Sequence, residues 1–519
     1  MEQSPFIMDA ASLQATIEDF LAGAAGAVVL DQGGVLFDLS TSRYSVTDEH
    51  GRVLLHLWSA ERNLVRRVLD AERKGELLKL TVLRFGQQRP ATLELCRTRD
   101  RRSESAKRAA RGRYQQLLQR VLAREFPASR LEQLSSAMDL ERSFSPVYAR
   151  GLLRRGRSGF AVLGVNQQEP QAAVDGALTF ALLWFDYLRT QCAPELHVEG
   201  LRLFAPPGCS AVLRERMAHL DAEIAKWELY ELTESGGELR SVDCRDRGNI
   251  VTRLVQSPEA TATRERFAAS IARIRGALPD CEVAVLTSAE IAFRYRGLEF
   301  ARARLASSGG LALQEEIVFG IGAAETVLEE RNQAAFTTLL KRLQRARTPS
   351  GSRADLLWRL APERWLESLV QSDVGMIDPR LDESCVYSQV PAFSASDRAV
   401  IDVLARTREG RLAVLELKAD EDIHLPLQGV DYWARVCWHQ QRGEFTSFGY
   451  FPGKPLADEA PILFLVAPAL HIHPATDTLL RYLSPEIECE VVAVHERWRE
   501  EPRVVFRKRR GQKEAACFV

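Results

Sequence analysis

One stretch of the chain, residues 398–433, limits the possible fold more than any other. It contains two apolar segments, residues 399–406 and 411–419, which are separated by the sequence Arg-Glu-Gly at 408–410. Segments of this length, rich in Val, Leu and Ala and joined by a short connection that contains glycine, are typical of a β-hairpin. The sequence therefore predicts two adjacent strands here.

Polar side chains interrupt this hairpin at Asp402, Glu416 and Lys418. Because side chains alternate across a strand, Glu416 and Lys418 share one face, while Leu415 and Leu417 take the other. An ionised carboxylate among apolar residues is costly unless a cation, a metal or hydrogen bonds compensate it, and a divalent metal would compensate both carboxylates. The alternative is a surface ion pair between Glu416 and Lys418, with Asp402 as an ordinary strand-end residue.

The order of these residues resembles the PD-(D/E)xK nuclease superfamily, in which an acidic helix precedes the Asp, the Glu-x-Lys strand and a further helix. The last helix carries Gln428 and Tyr432, which are similar to the Gln-xxx-Tyr motif of the RecB-like branch. The resemblance covers residues 355–503. It implies a restriction-endonuclease-like mixed sheet flanked by helices, and metal-dependent hydrolysis of phosphodiester bonds.

The resemblance also assigns roles to particular residues. Asp402 and Glu416, together with the Leu417 carbonyl, would hold Mg²⁺ or Mn²⁺, since both ions accept oxygen ligands. Lys418 would orient or help to deprotonate the attacking water. On the following helix, Gln428 and Tyr432 would position that water, the lysine or the phosphate.

A second acidic contribution is expected from the helix predicted at residues 362–370, which begins with a proline. Glu363 and Glu367 lie one turn apart on one face of this helix. Either could be the helix acid and complete the metal shell, and Glu367 is the preferred ligand. Both could instead be solvent-facing partners of Arg364 and its neighbours.

A length of 519 residues is too great for one ordinary core, so several domains are expected. We predict an α/β multidomain protein with four parts. They are a small β-rich domain (1–100), a degenerate nuclease-like domain (101–245), an α/β connecting domain (246–347) and the nuclease-like domain (355–505).

The degenerate domain is inferred from an internal repeat, because residues 159–166 can be laid over the strand at 411–418. Chance similarity between two apolar hairpins is the alternative. A true repeat would form a dimer-like arrangement within one chain, in which the first copy cannot hold a metal. Counted without gaps, the residues that replace Asp402, Glu416 and Lys418 are Arg150, Gly164 and Asn166.

The formal net charge is −1, so nucleic-acid binding would depend on local basic patches. A helix at about 60–73 would place Arg62 and Arg66 one turn apart, and residues 97–113 form an Arg-rich run that is either a phosphate contact or a solvated linker and helix start. Residues 293–304 alternate aromatics with arginines and could clamp a single strand, although an amphipathic pattern of core and surface residues explains them at least as well. A long helix is expected at residues 323–347. Residues 507–510 are expected to form an exposed basic tail, with phosphate contact as the alternative.

Nine scattered cysteines without a Cys-x-x-Cys motif, and no export or membrane-spanning segment, predict a cytoplasmic protein with no membrane partner. The expected partner is nucleic acid, with DNA preferred to RNA, and a homodimer or a protein partner is possible. The leading hypothesis is a metal-dependent nuclease in repair, recombination or defence. The alternatives are a catalytically silent nucleic-acid-binding scaffold and a nuclease subunit that needs a partner.

Overall fold

The fold is described from a computed structural model, which covers residues 9–511 except 23, 25, 32–33, 40–41, 50–51, 59–62, 84–89, 98–103, 140–141, 193–194, 246, 248–249, 251, 308–312, 322–324 and 395–399. The described residues form four sheets flanked by helices. The protein is therefore an α/β protein of several domains, as predicted. No helix in the described ranges is long and apolar enough to cross a membrane.

The described part of the first hundred residues contains one helix and seven strands, and residues 104–254 follow with an alternation of helices and strands. The first set is α1 (Ala10–Leu21), β1 (Val28–Asp31), β2 (Gly34–Asp38), β3 (Arg43–Glu49), β4 (Arg52–Trp58), β5 (Asn63–Lys74), β6 (Leu77–Leu83) and β7 (Pro90–Cys96). The second set is α2 (Glu104–Glu125), β8 (Arg130–Ser135), β9 (Tyr148–Arg155), β10 (Ser158–Val165), α3 (Gln171–Asp175), α4 (Ala177–Cys192), β11 (His197–Ala205), α5 (Ala211–Met217), β12 (Lys226–Thr233), β13 (Glu238–Val242) and β14 (Thr252–Leu254).

The remaining elements fall into two further sets. Residues 260–359 hold α6 (Ala260–Arg266), α7 (Ala268–Ala277), β15 (Glu282–Thr287), β16 (Glu290–Tyr295), β17 (Leu298–Ser307), β18 (Leu313–Phe319), β19 (Thr326–Val327), α8 (Gln333–Ala346) and α9 (Leu356–Arg359). Residues 362–509 hold α10 (Pro362–Ser372), β20 (Tyr387–Ser394), β21 (Val400–Arg406), β22 (Leu412–Leu417), α11 (Leu425–Gln441), α12 (Glu444–Ser447), β23 (Ile462–Pro468), α13 (Thr476–Arg481), β24 (Cys489–Val494) and β25 (Val504–Arg509).

These elements group into two compact units. Unit 1 is Met1–Arg101 with Pro258–Leu360, and unit 2 is Arg102–Ser257 with Ala361–Val519. Unit 1 contains two antiparallel sheets, in the orders β2-β1-β7-β6-β5-β4-β3 and β15-β16-β17-β18-β19. The four domain boundaries drawn from the sequence stay a prediction.

Two helices predicted in unit 1 are wrong or shortened. The segment that was to carry the Arg62 and Arg66 helix is β5, in which Arg66 pairs with Leu55 of β4; Arg62 itself lies outside the described residues. Alternation of buried Val68 with exposed neighbours fits a strand, so the expected one-turn spacing of arginines does not exist. Of the predicted helix 323–347, residues 323–324 lie outside the described residues, and the rest is reduced to α8, which β19 precedes.

Of the two interpretations of residues 293–304, the single-strand clamp is wrong and the amphipathic pattern of core and surface residues is confirmed. These residues form parts of β16 and β17, where Phe293 and Phe300 are fully buried. Arg302 lies 3.0 Å from Glu290, and other arginines of the segment also have acidic partners. The alternation therefore separates a core face from a salt-bridged face, and the aromatic rings are not available for stacking on bases.

The basic segments of unit 2 differ from expectation as well. Residues 507–509 belong to the sheet strand β25 rather than to an exposed tail, and Arg507 and Arg509 pair with Asp378 and Glu490 at 2.9 and 3.1 Å. In the Arg-rich run, residues 98–103 lie outside the described residues, and residues 104–113 form the first turns of α2. Arg507 and Arg509 of β25 therefore neutralise the buried carboxylates of Asp378 and Glu490.

Unit 2 contains two sheets with the same strand order and directions. In its N-terminal half (102–257) the order is β8-β9-β10-β11-β12-β13, and in its C-terminal half (361–519) it is β20-β21-β22-β23-β24-β25, with β14 added beside β20. In both, the third, fourth and fifth strands of the order are parallel and the outer pairs are antiparallel. A long helix, α4 or α11, connects the third strand to the fourth.

The two halves contact each other reciprocally. Arg216, at the end of α5, pairs with Asp431 of α11 at 2.8 Å, and Arg481, at the end of α13, pairs with Asp186 of α4 at 2.9 Å. Each half therefore offers an arginine from a short helix to an aspartate on the long helix of the other half. Reciprocal contacts of this kind are typical of a twofold interface.

A short antiparallel pairing joins the halves at the same place. Residues 219–221 pair with residues 482–484, through the Asp221 amide to the Tyr482 carbonyl (2.9 Å) and the Ser484 amide to the His219 carbonyl (2.7 Å). One hydrophobic core continues through both halves, from α4 to α11. The two halves of unit 2 therefore form one body, arranged like a dimer.

Candidate active site

The two carboxylates predicted for the site lie opposite each other in the hairpin. Val403 of β21 pairs with Leu415 of β22, so Asp402 and Glu416 occupy the next position of the antiparallel ladder and face the same side. The Asp402 Oδ2 accepts a hydrogen bond of 3.1 Å from the Leu417 amide. Burial raises the pKa of Asp402 against the lowering effects of this bond and of nearby cations.

Glu416 is the most unusual group of the site. Its side chain is buried, with 1% of the residue exposed. Burial, followed by the negative charge of Asp402, raises the pKa of Glu416 well above its usual range. Its Oε1 lies 3.1 Å from the Lys418 Nζ, whereas no donor among the described residues reaches its buried Oε2.

Lys418 lies on the same face as Glu416, as the strand alternation predicts. Burial opposes the charged form of Lys418, but the Glu416 carboxylate and Asp422, at 3.7 Å, outweigh it and raise the lysine pKa. Lys418 is therefore cationic at neutral pH in the protein without a bound metal. In that state it can stabilise negative charge on a phosphate, but it cannot accept a proton.

Helix α11 carries the two predicted helix residues. It packs on β22 and β23, and the Oε1 of Gln428 is buried with no hydrogen-bond donor among the described residues. Burial raises the pKa of Tyr432, and the charges of Glu416 and Asp402 raise it further, which places the phenol near both carboxylates. The structure therefore places Tyr432 near the carboxylates at one end of the hairpin, and a role of Gln428 in the same site stays a prediction.

Glu367 of helix α10, which the sequence predicts as a metal ligand, makes hydrogen bonds to other protein side chains. Glu367 is 4% exposed, and its Oε2 accepts hydrogen bonds from Gln389 (2.6 Å) and Arg364 (3.0 Å). No group of three or more Asp, Glu, His or Cys side chains placed to hold a metal occurs within the described ranges. Glu363 is only half-buried, and the structure does not bring either helix acid into one cluster with the two strand carboxylates.

Sequence reasoning missed Gln389, which connects α10 to the hairpin. It lies opposite Asp402 in β20, between the pairs Ser388–Val403 and Val390–Ile401, and has a left-handed φ of 56°. This conformation is unfavourable for a residue with a side chain, and it occurs often at functional sites. The sequence gives no signal of this backbone conformation, since Gln389 reads as an ordinary strand residue.

The donor set fits a hard divalent cation. Two carboxylates face each other, and the oxygens Glu416 Oε2 and Gln428 Oε1 are buried acceptors that no donor among the described residues reaches. Such groups are costly unless something positive satisfies them. An all-oxygen set suits Mg²⁺ or Mn²⁺ better than softer metals. The Leu417 carbonyl as a further ligand stays a prediction.

The equivalent place in the N-terminal half contains different residues. Leu203 and Leu465 each stand two residues before an Ala-Pro pair, and they pair with Leu163 and Glu416, respectively. Leu163 in turn pairs with Arg150, as Glu416 faces Asp402. The hairpin of the C-terminal half has one more turn residue, so the gap-free alignment slips by one position. The structural equivalents of Asp402, Glu416 and Lys418 are Arg150, Leu163 and Val165.

The predicted equivalences of Gly164 and Asn166 are therefore wrong, whereas that of Arg150 agrees with the pairing. Gly164 points to the opposite face of the sheet, where an added Cβ would lie 2.4 Å from the Tyr114 hydroxyl of α2. Leu163 and Val165 are buried and apolar. A cation and two apolar side chains cannot hold a metal.

Comparisons with known proteins leave the family open. No protein-family model and no curated protein sequence matches the chain. A structure of an EndoMS–dsDNA2 complex shares 12% identity, over 43% of this chain and 94% of its own, with a TM-score of 0.17. A repair endonuclease from Pyrococcus abyssi shares 11% identity, over 40% and 92%, with a TM-score of 0.15. These TM-scores are too low for either likeness to carry an argument about fold or activity.

Proposed function

We propose that the protein is a metal-dependent nuclease that hydrolyses phosphodiester bonds, with DNA as its substrate. One observation carries the proposal: Asp402 and Glu416 face each other from adjacent strands, with Lys418 3.1 Å from Glu416. The two facing carboxyls support a bound cation rather than a structural salt bridge, because the single positive charge of Lys418 cannot neutralise both of them. A cellular role in repair, recombination or defence is part of the proposal.

The residues of the site have distinct tasks in this reaction. Asp402 and Glu416 would hold Mg²⁺ or Mn²⁺, which would supply Lewis-acid stabilisation of the phosphate and activate water. Lys418 stabilises the negative charge that grows on the phosphate oxygens. Gln428 and Tyr432 orient the water or the phosphate from α11. The Leu417 amide fixes the Asp402 carboxylate in place.

The test is cleavage of labelled single-stranded and double-stranded DNA and RNA with Mg²⁺, Mn²⁺ or EDTA. We expect metal-dependent cleavage that falls at least a hundredfold in Glu416→Gln and Lys418→Met. Glu409→Gln, in the exposed hairpin turn, is the matched control and should retain activity. Calorimetric titration of each variant with Mn²⁺ measures binding independently of turnover.

Three outcomes would count against the proposal. Nucleic-acid binding without cleavage, equal in the wild type and in both site variants, would indicate a silent scaffold. Mn²⁺ binding that Glu416→Gln abolishes, together with absent cleavage of every substrate, would indicate that a partner must activate the site. Retained cleavage in Glu416→Gln would show that the reaction takes place elsewhere.

A further inference from the structure

The N-terminal half of unit 2 lacks a metal site but retains the position where one would stand. Arg150 there is 6% exposed, and its guanidinium donates to the carbonyls of Ala137 (2.6 Å) and Ser145 (3.2 Å). It also lies 4.7 Å from the centre of the Phe144 ring. The position is therefore built around a fixed cation, with no carboxylate from either strand of the hairpin.

The reciprocal interface relates this position to the active site by an approximate twofold rotation. The Arg216–Asp431 and Arg481–Asp186 pairs exchange under that rotation, as do residues 219–221 and 482–484. The two strands of a nucleic-acid duplex are also related by twofold axes. A twofold protein surface therefore presents equivalent positions to the two strands.

An open cleft of about 660 Å³ lies between the two halves, and its charged lining residues are Arg142, Asp186 and Glu421. From the N-terminal half it is lined by Phe144, Arg142 and Tyr187, and Arg142 stacks 4.9 Å from the Tyr187 ring centre. From the C-terminal half it is lined by Glu421, which follows Lys418 by three residues, and by His473. The cleft therefore extends from the Phe144 ring, which packs against Arg150, to the loop that follows β22 and contains Glu421.

We infer that the N-terminal half takes the place of a second subunit, so that one chain binds duplex DNA across both halves and cuts only one of its strands. The inference rests on the proposed nuclease function and names its substrate and product. Water attacks one phosphorus, a P–O bond forms, and the P–O bond to one sugar oxygen breaks as that oxygen takes a proton. The second strand lies along the N-terminal half, where Arg150, Leu163 and Val165 stand in place of the metal-binding residues, and stays intact.

The test uses a supercoiled plasmid, incubated with the full-length protein and Mg²⁺ or Mn²⁺. We expect conversion to the open circle, with a rate proportional to protein concentration. Linear plasmid should appear only after the supercoiled form is consumed and independent nicks have accumulated. A duplex oligonucleotide labelled separately on each strand should show one cut strand in each molecule during the first turnover.

Three outcomes would overturn the inference while leaving the proposed function intact. They are linear plasmid as a first product together with the open circle, a rate that rises with the square of protein concentration, and cleavage restricted to single-stranded substrates. If no nucleic acid is cut under any condition, the proposed function itself fails, and the inference fails with it. The four results are distinguishable on one gel series.

Substitution of two arginines of the N-terminal half, one in the cleft and one as a control, tests whether this half binds the duplex. Arg142→Ala removes a half-exposed arginine of the cleft that pairs with Asp139 at 2.7 Å, and we expect about tenfold slower plasmid nicking at low protein concentration, since a charged contact contributes about 1.5 kcal/mol. Cleavage of a short single strand, which needs the active site alone, should stay unchanged. Arg157→Ala, in the exposed β9–β10 turn, is the matched control. Equal nicking by both variants and the wild type would contradict a duplex-holding N-terminal half.

Discussion

Glu416 has opposing effects at the scale of the residue, because the chemistry that favours a bound cation disfavours the metal-free fold. Its carboxyl is buried, faces a second carboxyl and has one unsatisfied oxygen. Its pKa in the folded protein is raised above the unfolded value. Its contribution to stability is therefore present below the unfolded pKa of about 4.3 and is lost as pH rises through the folded pKa.

Replacing Glu416 by Gln should therefore stabilise the metal-free protein at alkaline pH. We expect Glu416→Gln to raise the free energy of unfolding by about 1–3 kcal/mol at pH 8 in EDTA, and by less at pH 5. Mn²⁺ at a hundred times its dissociation constant should add about 2.7 kcal/mol to the wild type and nothing to the variant. Urea unfolding measures both quantities. A variant that is less stable at both pH values and still stabilised by Mn²⁺ would show that Glu416 is a structural residue.

Urea unfolding should also distinguish the roles of Glu363 and Glu367, the two acids of α10. Glu367→Ala leaves the Gln389 amide and the Arg364 guanidinium without their buried acceptor. It should lower the free energy of unfolding by about 1–3 kcal/mol and slow cleavage at least tenfold. Glu363→Ala, on the half-buried first turn, should change stability by less than about 0.5 kcal/mol. Similar losses of stability and cleavage rate in the two variants would show that Glu363 is also part of the site.

At the scale of elements, the packing of α2 on β10 explains why the N-terminal half contains Gly164. An added Cβ would lie 2.4 Å from the Tyr114 hydroxyl, and that hydroxyl is buried with no hydrogen-bond partner among the described residues. Burial raises the pKa of Tyr114, so the phenol stays neutral. The ring therefore fills the space on this face of the sheet, and a glycine is needed to admit it.

A double-mutant cycle tests this packing. Gly164→Ala should cost about 1–3 kcal/mol through overpacking, while Tyr114→Phe should be nearly neutral because the hydroxyl makes no bond. The double variant should recover at least about 0.5 kcal/mol of the loss. Gly112→Ala, where no atom lies within 4 Å of the added Cβ, is the control and should gain about 0.5–1 kcal/mol in the helix. Strictly additive values from urea unfolding would reject direct contact between the two residues.

The elements also show where sequence reasoning succeeded and where it failed. The hairpin of β21 and β22 was predictable because its apolar composition and its turn agree, and the strand alternation placed Glu416 beside Lys418. The alignment of the two halves slipped by one residue because turn length is not fixed by apolar periodicity. Gln389 was missed because a left-handed backbone leaves no pattern in the sequence, and the contact to Glu367 depends on it.

At the scale of the whole molecule, the reciprocal interface explains how the N-terminal half of unit 2 can lack a metal site and still pack against the C-terminal half. The contacts between the halves use Arg216, Asp431, Arg481 and Asp186, and none of these residues is part of the active site. Fold and site are separable in this way, because the sheet and the interface do not need the carboxylates. The N-terminal half therefore stays fixed beside the active half although it cannot hold a metal.

His219 makes this interface sensitive to pH. Its ring packs edge-on against Trp433 at 5.6 Å, and its carbonyl accepts the Ser484 amide that crosses the interface. Burial, followed by the positive charge of Arg247, lowers the pKa of His219 to about 4, although Asp431 and Glu486 oppose the shift. The unfolded form therefore takes up a proton near pH 6.5 that the folded form rejects. The stabilisation is present above pH 6.5 and is lost as pH falls towards 4.

The expected loss between pH 7.5 and pH 5 is about 2 kcal/mol, from the two pKa values. It can be measured locally, by hydrogen exchange of the Ser484 and Asp221 amides, since both bonds join the halves. The opening free energy of these amides should fall by that amount in the wild type and stay nearly constant in His219→Gln, which cannot titrate. His439 is retained in the variant, so the difference between the two proteins isolates His219. An equal fall in both proteins would mean that acid opens the halves through other groups, and that the buried imidazole does not control the interface.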